Sequence, residues 1–519
     1  MTSNYQYNLG QLFEEVVQNN EARIAIQFMD GNKLCYNDLN VLSNKIAHFL
    51  ISKNIKQNDV VVILNNKSTL SYAIMLACLK VGVIYTNLDP KSPLERFSKM
   101  IDVCEPGMLF YFQDELSVVN EYSSKAFESL EYTCYDFQKE LSKYDETVPE
   151  RHKVVNSNSP AYIMFTSGST GFPKGVVISH GNIINFIKWT KYTYSTTVND
   201  VFTNINPMHF DNSVFDFYAS LFTGASIIPV NESQTRNPKR LIEALNKVLP
   251  TIWFSVPSML VFILNMRALK SEDLPTLRVV TFGGEGFPKN QLRSLWKFWG
   301  ERVSFVNVYG PTECTCICSS YVVTSRDLEN DNLLPLGPIA PNFSASIRDE
   351  KGELVAPGEI GELYIGGPNV ALGYYNNPEK TEAVFVIAPS QNAYKEILYN
   401  SGDLVKEAVE NNVLLFCGRK DNQIKRMGYR IELEEIENAC NTIDFIKESA
   451  VIYVDNEQHK SKIYACLRSE NKDEAKINES LTNYLPSYMM PDGYFYFDNL
   501  PKNQNGKINR LILKEAFNK

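Results

Sequence analysis

Apolar runs and amphipathic stretches alternate along the first two thirds of the chain. Residues 8–28 have the apolar spacing of an amphipathic helix that runs into a strand, and residues 60–64 form a β-branched run typical of a buried strand. Residues 69–81 return to helical spacing, and a strand over 85–90 and a helix over 94–104 follow. This alternation predicts an α/β domain with a mostly parallel sheet.

The middle of the chain continues the pattern and then changes. Polar and charged residues dominate 113–157, which we interpret as a connection between two subdomains. Beyond it the apolar spacing predicts helices over 181–192 and 214–222 and strands over 252–256, 277–282 and 304–309. Glycines, prolines and short alternating runs over 333–365 predict a small β-rich subdomain.

A domain boundary is expected near residues 417–421. A chain of 519 residues exceeds what one hydrophobic core normally supports. We therefore expect a large domain at 1–417 and a smaller one at 418–519, the latter with helices over 432–441 and 477–485 and strands over 450–454 and 462–467. The predicted fold class is α/β, with a large N-terminal domain of parallel-sheet subdomains plus the β-rich subdomain, and a small α+β C-terminal domain.

The charge and composition exclude several classes of protein. The net charge is −9, which argues against a nucleic-acid binder or a protein of anionic membrane surfaces. No apolar run reaches the roughly 20 residues that span a bilayer, and the N-terminus lacks the basic and apolar regions of a signal peptide. Ten scattered cysteines fit reduced thiols. We expect a cytoplasmic protein without nucleic-acid or membrane partners.

The closely spaced cysteines Cys314, Cys316 and Cys318 suggest a metal site as an alternative. In a strand all three side chains would lie on one face. No histidine or further cysteine pair has ligand spacing around them. Reduced thiols are the favoured interpretation.

The segment from Thr166 to Gly175 reads Thr-Ser-Gly-Ser-Thr-Gly-Phe-Pro-Lys-Gly and lies between two predicted strands. Hydroxyl residues and glycines leave backbone N–H groups free to surround oxygen-rich anions, and Lys174 adds a positive charge. It is not a P-loop, which opens a helix with a different spacing. A flexible linker is the alternative, but the flanking strands favour a phosphate-binding loop.

This ten-residue string resembles the signature of the acyl-adenylate-forming superfamily, which includes amino-acid adenylation domains, acyl-CoA synthetases and luciferases. Further segments resemble that family's motifs in the same order, from Leu34 to Arg510. The resemblance implies that ATP is a substrate and Mg²⁺ a cofactor. By the same resemblance the ATP- and AMP-binding residues are Thr166, Ser167, Gly168, Ser169, Thr170, Gly171, Lys174, Gly283, Gly284, Glu285, Asn307, Tyr309, Gly310, Asp403 and Arg419.

The resemblance also implies catalytic residues, namely Lys507, Glu313 and Thr312. An ammonium such as Lys507 stabilises the negative charge that gathers on the α-phosphate and the attacking carboxylate. Glu313 offers a carboxylate to magnesium, a cation that prefers oxygen ligands. A carboxylate such as Asp403 can accept both ribose hydroxyls.

Asp211 indicates which acyl group is activated. Amino-acid adenylation domains carry an aspartate at this place, where it pairs with the α-ammonium of the substrate. The alternative is that Asp211 caps the helix that begins near residue 214. Matching to the family places the substrate pocket at Asp211, Asn212, Phe215, Ser255, Val280, Phe282, Val308, Cys316 and Ile317. Phe282, Phe215 and Ile317 are expected to fill the floor. We therefore predict a small neutral amino acid, alanine first, with serine, glycine or cysteine as neighbours.

The chain ends twelve residues after Lys507, so it resembles a free-standing enzyme similar to D-alanine:carrier-protein ligases. By that resemblance we expect a separate phosphopantetheinylated carrier protein as its partner. Those ligases carry cysteine where Gly283 stands, which leaves the chirality open. Family members rotate the small domain between half-reactions, with the hinge at the residue matching Asp421. A CoA ligase for an acid without an amino group, or a catalytically silent carrier-binding homologue, are the alternatives.

Overall fold

The chain folds into two units, each with its own sheets and core. The structure, a computed structural model, describes residues 6–112, 128–131, 135–168, 172–389, 393–408, 412–455, 461–502 and 508–516. The first unit comprises Met1–Asp89, Cys104–Met164 and Gly175–Lys420, and the second comprises Pro90–Val103, Phe165–Lys174 and Asp421–Lys519. The chain therefore passes from one unit to the other between Lys420 and Asp421.

A seven-stranded sheet is built around the β-branched run Val60–Leu64, which is buried along its whole length. Its order is β17-β8-β7-β4-β3-β5-β6. The strands are β3 Val60–Leu64, β4 Ile84–Leu88, β5 Met108–Tyr111, β6 Glu128–Glu131, β7 Pro160–Thr166, β8 Lys174–Ser179 and β17 Gly373–Tyr374. The pairs that β3, β4, β5, β6 and β7 form with one another are parallel, as the strand–helix alternation predicts.

An eight-stranded sheet forms from the remaining strands of this α/β region. Its order is β14-β13-β12-β11-β9-β10-β1-β2. The strands are β1 Ile24–Gln27, β2 Lys33–Cys35, β9 Val201–Asn204, β10 Ser226–Pro229, β11 Ile252–Ser255, β12 Val279–Gly283, β13 Ser304–Tyr309 and β14 Ser319–Val322. Its pairs are parallel except at the two ends, where β2 and β14 run antiparallel to their neighbours.

The predicted β-rich subdomain is a five-stranded antiparallel sheet. Its strands are β15 Ser344–Arg348, β16 Gly361–Gly366, β18 Phe385–Ile387, β19 Ile397–Ala408 and β20 Val413–Arg419. β19 pairs with β16, β18 and β20, so it holds the subdomain together.

Helices connect the strands of the first unit. They are α1 Leu9–Asn20, α2 Tyr36–Ser52, α3 Thr69–Val81, α4 Leu94–Cys104, α5 Tyr135–Leu141, α6 His180–Thr193, α7 Asn212–Leu221, α8 Glu232–Thr235, α9 Pro238–Val248, α10 Pro257–Asn265, α11 Lys289–Trp299 and α12 Pro378–Val384. Most of α4 belongs to the second unit. β6 and α5 lie within the polar stretch over 113–157, so the described part of that stretch does more than connect subdomains.

The two faces of the eight-stranded sheet pack against different layers. On one face, apolar residues of β11, β12 and β13 join α6, α7 and the seven-stranded sheet in one core cluster. On the other face, the same strands pack against α9, α10 and α11 in a second cluster. Strands buried on both faces lose the polar–apolar alternation of a half-exposed sheet.

The second unit has its own small sheets and core. Its helices and strands are β21 Gln423–Arg426, β22 Tyr429–Glu432, α13 Leu433–Asn441, β23 Ile446–Val454, β24 Lys462–Ser469, α14 Glu474–Leu481, β25 Gly493–Tyr496 and α15 Arg510–Ala516. β21 pairs with β22, and β24 lies between β23 and β25. Within this unit Arg96 of α4 forms a buried ion pair with Glu435.

This architecture confirms the predicted fold class. Parallel α/β sheets, a β-rich subdomain and a small C-terminal α+β region are all present. Among the described residues, none of the helices combines the length and apolarity that crossing a bilayer requires.

Candidate active site

Asp211 lies immediately before α7, but its side chain does not cap that helix. It occupies the N-cap position without a side-chain capping hydrogen bond. Its Oδ2 instead accepts a hydrogen bond from Thr312 Oγ1 at 2.5 Å. Thr312 opens a short 3-10 turn that follows β13. The structure therefore does not show Asp211 capping the helix with its side chain. Instead Asp211 and Thr312, two predicted site residues from distant parts of the chain, are in contact.

Tyr309, Asp403 and Arg419 also come together, although the three are contributed by different strands. Tyr309 Oη donates to Asp403 Oδ2 at 2.5 Å, and Arg419 Nη1 donates to Asp403 Oδ1 at 2.6 Å. Asp403 and Arg419 are direct partners in the register of β19 and β20. Burial and the nearby Asp403 charge raise the pKa of Tyr309, so its hydroxyl stays protonated. Both carboxylate oxygens of Asp403 thus accept hydrogen bonds, as they would from two ribose hydroxyls.

Glu313 is fully buried, and its Oε1 accepts a hydrogen bond from Tyr374 Oη at 2.8 Å. Among the described residues, groups of three or more His, Cys, Asp or Glu that could hold a metal ion are not found. A single carboxylate fits Mg²⁺ that is held mainly by nucleotide phosphates and water. Glu313 is the residue that would contribute to such a site.

The segment predicted to line adenine begins where β12 ends. A Cβ at Gly283 would lie 2.4 Å from the Val308 carbonyl oxygen, so only glycine fits this close approach of two strands. Gly284 has a φ of 91°, a conformation that glycine adopts without strain. Glu285 Oε1 accepts from Ser258 N at 2.8 Å. Asn307 Nδ2 donates to Pro335 O at 2.7 Å.

The Gly- and Ser-rich loop lies between β7 and β8, as predicted, and belongs to the second unit. Ser167 Oγ donates to Arg430 O at 2.8 Å, and Lys174 Nζ lies 3.9 Å from Glu432 Oε1. Burial raises the pKa of Glu432, and the Lys174 charge opposes that rise. The loop residues Ser169, Thr170 and Gly171, like Lys507, lie outside the described residues.

The pocket prediction differs from the structure in β11 and β12. Ser255, Val280 and Phe282 lie on the face that packs against α9, α10 and α11. Val280 and Phe282 belong to that cluster, and Ser255 Oγ accepts from Trp253 Nε1 of the same cluster at 2.9 Å. Phe215, Val308, Cys316 and Ile317 belong to the opposite cluster. Phe282 therefore does not form a floor with Phe215 and Ile317.

The strand neighbours of those three residues face Phe215 instead. Phe254 and Thr281 are direct partners in the register of β11 and β12, and the rings of Phe254 and Phe215 are 5.2 Å apart. Gly283 is the partner of Val308. A shift of one residue in a strand moves every side chain to the other face, which accounts for the difference at all three positions. Asn212 begins α7 directly after Asp211.

The cysteine run is not a strand, so its three side chains do not share one strand face. Cys314 ends the 3-10 turn, and Thr315 and Cys316 have φ values of 58° and 73°. A Cβ at Gly310 would lie 2.2 Å from the Cys316 carbonyl oxygen. The run forms a tight turn that presents Cys316 and Ile317 to the core cluster of Phe215.

A buried polar network under α7 was not predicted. Asp216 accepts hydrogen bonds from Asn204 Nδ2 and Asn206 Nδ2, both at 3.0 Å. Lys67 Nζ donates to the carbonyl oxygens of Asn204 and Val230, both at 2.7 Å. Burial raises the pKa of Asp216 and lowers that of Lys67. The network links α7 to β9 and β10, and no local pattern in the sequence brings these side chains together.

Phe282→Leu tests the corrected pocket. We expect it to lower the free energy of unfolding by roughly 0.5–3 kcal/mol, the usual range for a substitution, because Phe282 is fully buried against Phe287 at a ring distance of 4.8 Å. The order in which the Phe282→Leu variant prefers amino acids should be the same as that of the wild type. Urea unfolding and ATP–pyrophosphate exchange measure the two effects.

Phe254→Leu is the matched control for that measurement. Phe254 is as deeply buried as Phe282, but it faces Phe215. It should lose similar stability and also change the order of preferred amino acids. A changed preference in Phe282→Leu would contradict the assignment of faces.

Comparisons with known proteins find relatives of both parts of the chain. Residues 13–375 match the AMP-binding enzyme family, and residues 435–507 match the AMP-binding enzyme C-terminal domain. A D-alanine–D-alanyl carrier protein ligase of Listeria monocytogenes serotype 4a is 32% identical over 94% of this chain and 95% of its own length. The structure is similar to the Vibrio cholerae adenylation domain AlmE, solved with glycyl-adenosine-5'-phosphate (TM-score 0.83, 22% identity, 100% of this chain and 99% of that one). It is equally similar to an o-succinylbenzoate CoA synthetase of Bacillus subtilis (TM-score 0.83, 21% identity, 98% of each chain).

Proposed function

Because the chain belongs to the AMP-binding enzyme family, whose members are AMP-forming ligases, we propose that it activates a small neutral amino acid and loads it onto a carrier protein. In the first half-reaction the amino-acid carboxylate attacks the α-phosphorus of ATP, forming aminoacyl-AMP and releasing pyrophosphate. In the second, the phosphopantetheine thiol of a separate carrier attacks the acyl carbon, forming a thioester and releasing AMP and a proton. Alanine, serine, glycine and cysteine are the candidate substrates.

The contact between Asp211 and Thr312 carries this proposal. The Asp211 carboxylate accepts a hydrogen bond from the neutral Thr312 hydroxyl, and a hydrogen bond between two ionised groups is stronger than one from a neutral donor. An α-ammonium would supply the charge that pairs with Asp211. Phe215, one helical turn later, would then contact the substrate side chain. An acid without an amino group would leave the Asp211 carboxylate without that counterion.

The nucleotide is assigned to the Tyr309, Asp403 and Arg419 group. The Asp403 carboxylate accepts two hydrogen bonds in the structure, and ribose hydroxyls could take the same positions. The aromatic face of Tyr309 suits an adenine ring. Arg419 adds a fixed positive charge that favours a phosphate or a ribose oxygen.

The chemistry is assigned to Lys507, Thr312 and Glu313. Negative charge gathers on the α-phosphate as the carboxylate attacks, and a positioned ammonium stabilises that charge without proton transfer. The Thr312 hydroxyl has a single proton, so it would donate to a phosphate oxygen in place of the Asp211 carboxylate. Mg²⁺ would supply further positive charge to the phosphates, and Glu313 is the carboxylate that would hold it. The Thr166–Lys174 loop is assigned to the β- and γ-phosphates.

ATP–pyrophosphate exchange across D- and L-amino acids tests the first half-reaction. Exchange with small neutral amino acids, and little with propionate, is the expected result. Loading of a phosphopantetheinylated carrier, compared with thioester formation on free CoA, then identifies the acceptor. Activity with propionate equal to that with alanine would contradict amino-acid activation. Absence of exchange with any acid would support a catalytically silent homologue instead.

The hinge assigned to Asp421 can be tested separately. Asp421→Pro fixes φ at this position, so we expect exchange activity to persist while carrier loading falls at least about tenfold, because hinge residues absorb the backbone rotation between half-reactions. Asp421→Ala, which leaves φ free, is the control and should load the carrier normally. Wild-type loading by the proline variant would show that Asp421 is not the hinge.

A further inference from the structure

Two buried hydroxyl groups lie behind Phe215 on the pocket face of the sheet. Thr281 is the direct register partner of Phe254 on that face. The ring of Tyr194, the residue that ends α6, packs edge-on against Phe215 with the ring centres 5.0 Å apart. Thr281 is fully enclosed and Tyr194 nearly so. Neither residue belonged to the pocket predicted from the sequence.

Neither hydroxyl has a hydrogen-bond partner among the residues that the structure describes. Burial raises the pKa of the Tyr194 phenol, and a hydrogen-bonding contact with the Thr281 hydroxyl opposes that rise, so the two hydroxyls are neighbours; their geometry nevertheless falls outside that of a normal hydrogen bond. A buried hydroxyl without a partner is destabilising, because it has given up its hydrogen bonds to water and gained none in the protein. Two such groups side by side require an explanation, and a bound ligand is one that satisfies both.

Their position relative to Asp211 identifies the ligand. Asp211 and Phe215 are four residues apart at the start of α7, so they lie on the same side of the helix. Cys316 lies close to both ends of the region. Burial, and after it the Asp211 charge, raise the pKa of the Cys316 thiol, and Cys316 adds a smaller contribution to the rise that burial causes in the pKa of Tyr194. An amino acid held by its ammonium at Asp211 would direct its side chain past Phe215 towards the two hydroxyls.

We propose that the amino acid activated here carries a side-chain hydroxyl, as serine and threonine do, which Tyr194 and Thr281 bind. The inference rests on the proposed amino-acid activation and narrows its substrate class. Each of the three hydroxyls can donate one hydrogen bond and accept others, so the substrate oxygen can satisfy both protein groups. The aromatic rings of Phe215 and Phe254 limit the space to a short side chain. Alanine would leave both hydroxyls unpaired.

Isosteric substrate pairs test this inference directly. Serine and 2-aminobutyrate differ by a hydroxyl in place of a methyl group, as do threonine and valine. In ATP–pyrophosphate exchange, kcat/KM should favour serine over 2-aminobutyrate by at least about tenfold, because a site built to bind a hydroxyl discriminates strongly against its absence. The D- and L-forms of serine and of 2-aminobutyrate are both measured, since the inference concerns the side chain alone.

Isosteric variants identify the residues responsible. Thr281→Val and Tyr194→Phe each remove one hydroxyl, and each should lower the serine to 2-aminobutyrate ratio of kcat/KM at least about threefold, the lower end for one hydrogen bond. Thr203→Val is the matched control. Thr203 is fully buried and its hydroxyl is also unpaired among the described residues, but it lies in β9 outside the pocket. Its ratio should equal that of the wild type.

Three outcomes separate this inference from the proposed function. A wild-type preference for alanine or 2-aminobutyrate would overturn the inference while leaving amino-acid activation intact. A preference for serine that neither variant reduces would also overturn it, because other residues would then bind the hydroxyl. Exchange with propionate but with no amino acid would overturn the proposed function, and the inference with it.

Discussion

Lys507→Ala is expected to lower the rate of adenylate formation at least about a hundredfold, the scale of losing one preorganised electrostatic group. The attacking carboxylate and the α-phosphate both carry negative charge in the transition state, and we propose that the Lys507 ammonium stabilises both. The rate of transfer from a preformed aminoacyl adenylate to the carrier should fall much less. In that step the thiol attacks the acyl carbon and AMP leaves, so no carboxylate attacks the α-phosphate. ATP–pyrophosphate exchange and single-turnover loading measure the two half-reactions.

Lys502→Ala is the matched control for Lys507→Ala. Lys502 lies on the same C-terminal segment, is half exposed and pairs with Glu448 at 2.8 Å. A surface ion pair of this kind contributes about 0–1 kcal/mol to stability, so both half-reactions should proceed at the wild-type rate. Equal losses in both half-reactions of Lys507→Ala would show that this lysine is structural.

Asp211→Asn should lower kcat/KM for amino-acid activation by roughly two to three orders of magnitude. Asparagine keeps the shape of the side chain and can still accept a hydrogen bond from Thr312, but it removes the charge that we propose pairs with the substrate ammonium. Removing one partner of a desolvated charge pair, so that the other charge is left without its counterion, costs about 3–5 kcal/mol. Most of the loss should appear as a higher KM, because the ammonium pairs with Asp211 in the ground state and in the transition state alike.

The corresponding acid without an amino group serves as the internal comparison. Propionate should be a poor substrate of the wild type, and Asp211→Asn should use it no worse. Asp273→Asn is the control variant, since Asp273 is a buried carboxylate on the side of the molecule that carries α9 and accepts from Asn246 at 2.7 Å. If Asp211→Asn activates amino acids as well as Asp273→Asn does, Asp211 is not the ammonium partner.

Most of the proposed nucleotide-binding residues could be recognised from local strings, although their contacts could not. Tyr309, Asp403 and Arg419 lie in separate motifs, each of which is short enough to identify without a structure. The contacts among these three residues depend on where β13 ends, at Tyr309. They also depend on the register of β19 and β20, in which Asp403 is paired with Arg419. Pairing between strands far apart in the chain leaves no signal in either strand alone. The family resemblance therefore identified the residues, and the fold shows how they contact one another.

The Lys67 and Asp216 network illustrates a second limit. A lysine and an aspartate in otherwise apolar segments resemble exposed charges in a sequence. Each is buried, and each is satisfied by groups from other elements, namely backbone carbonyl oxygens for Lys67 and asparagine side chains for Asp216. Burial of a charge depends on partners that only the packed structure supplies.

The order and type of the main elements, the family motifs and the residue types available for chemistry could be predicted without a structure, because these depend on local periodicity and short strings. The sequence did not determine which side of β11 and β12 faces α7. Both strands are buried on both faces, so the run from Val279 to Phe282 has no polar–apolar alternation to show its phase. Only the helices packed on each face of the sheet decide that Thr281 faces Phe215 and that Phe282 faces away.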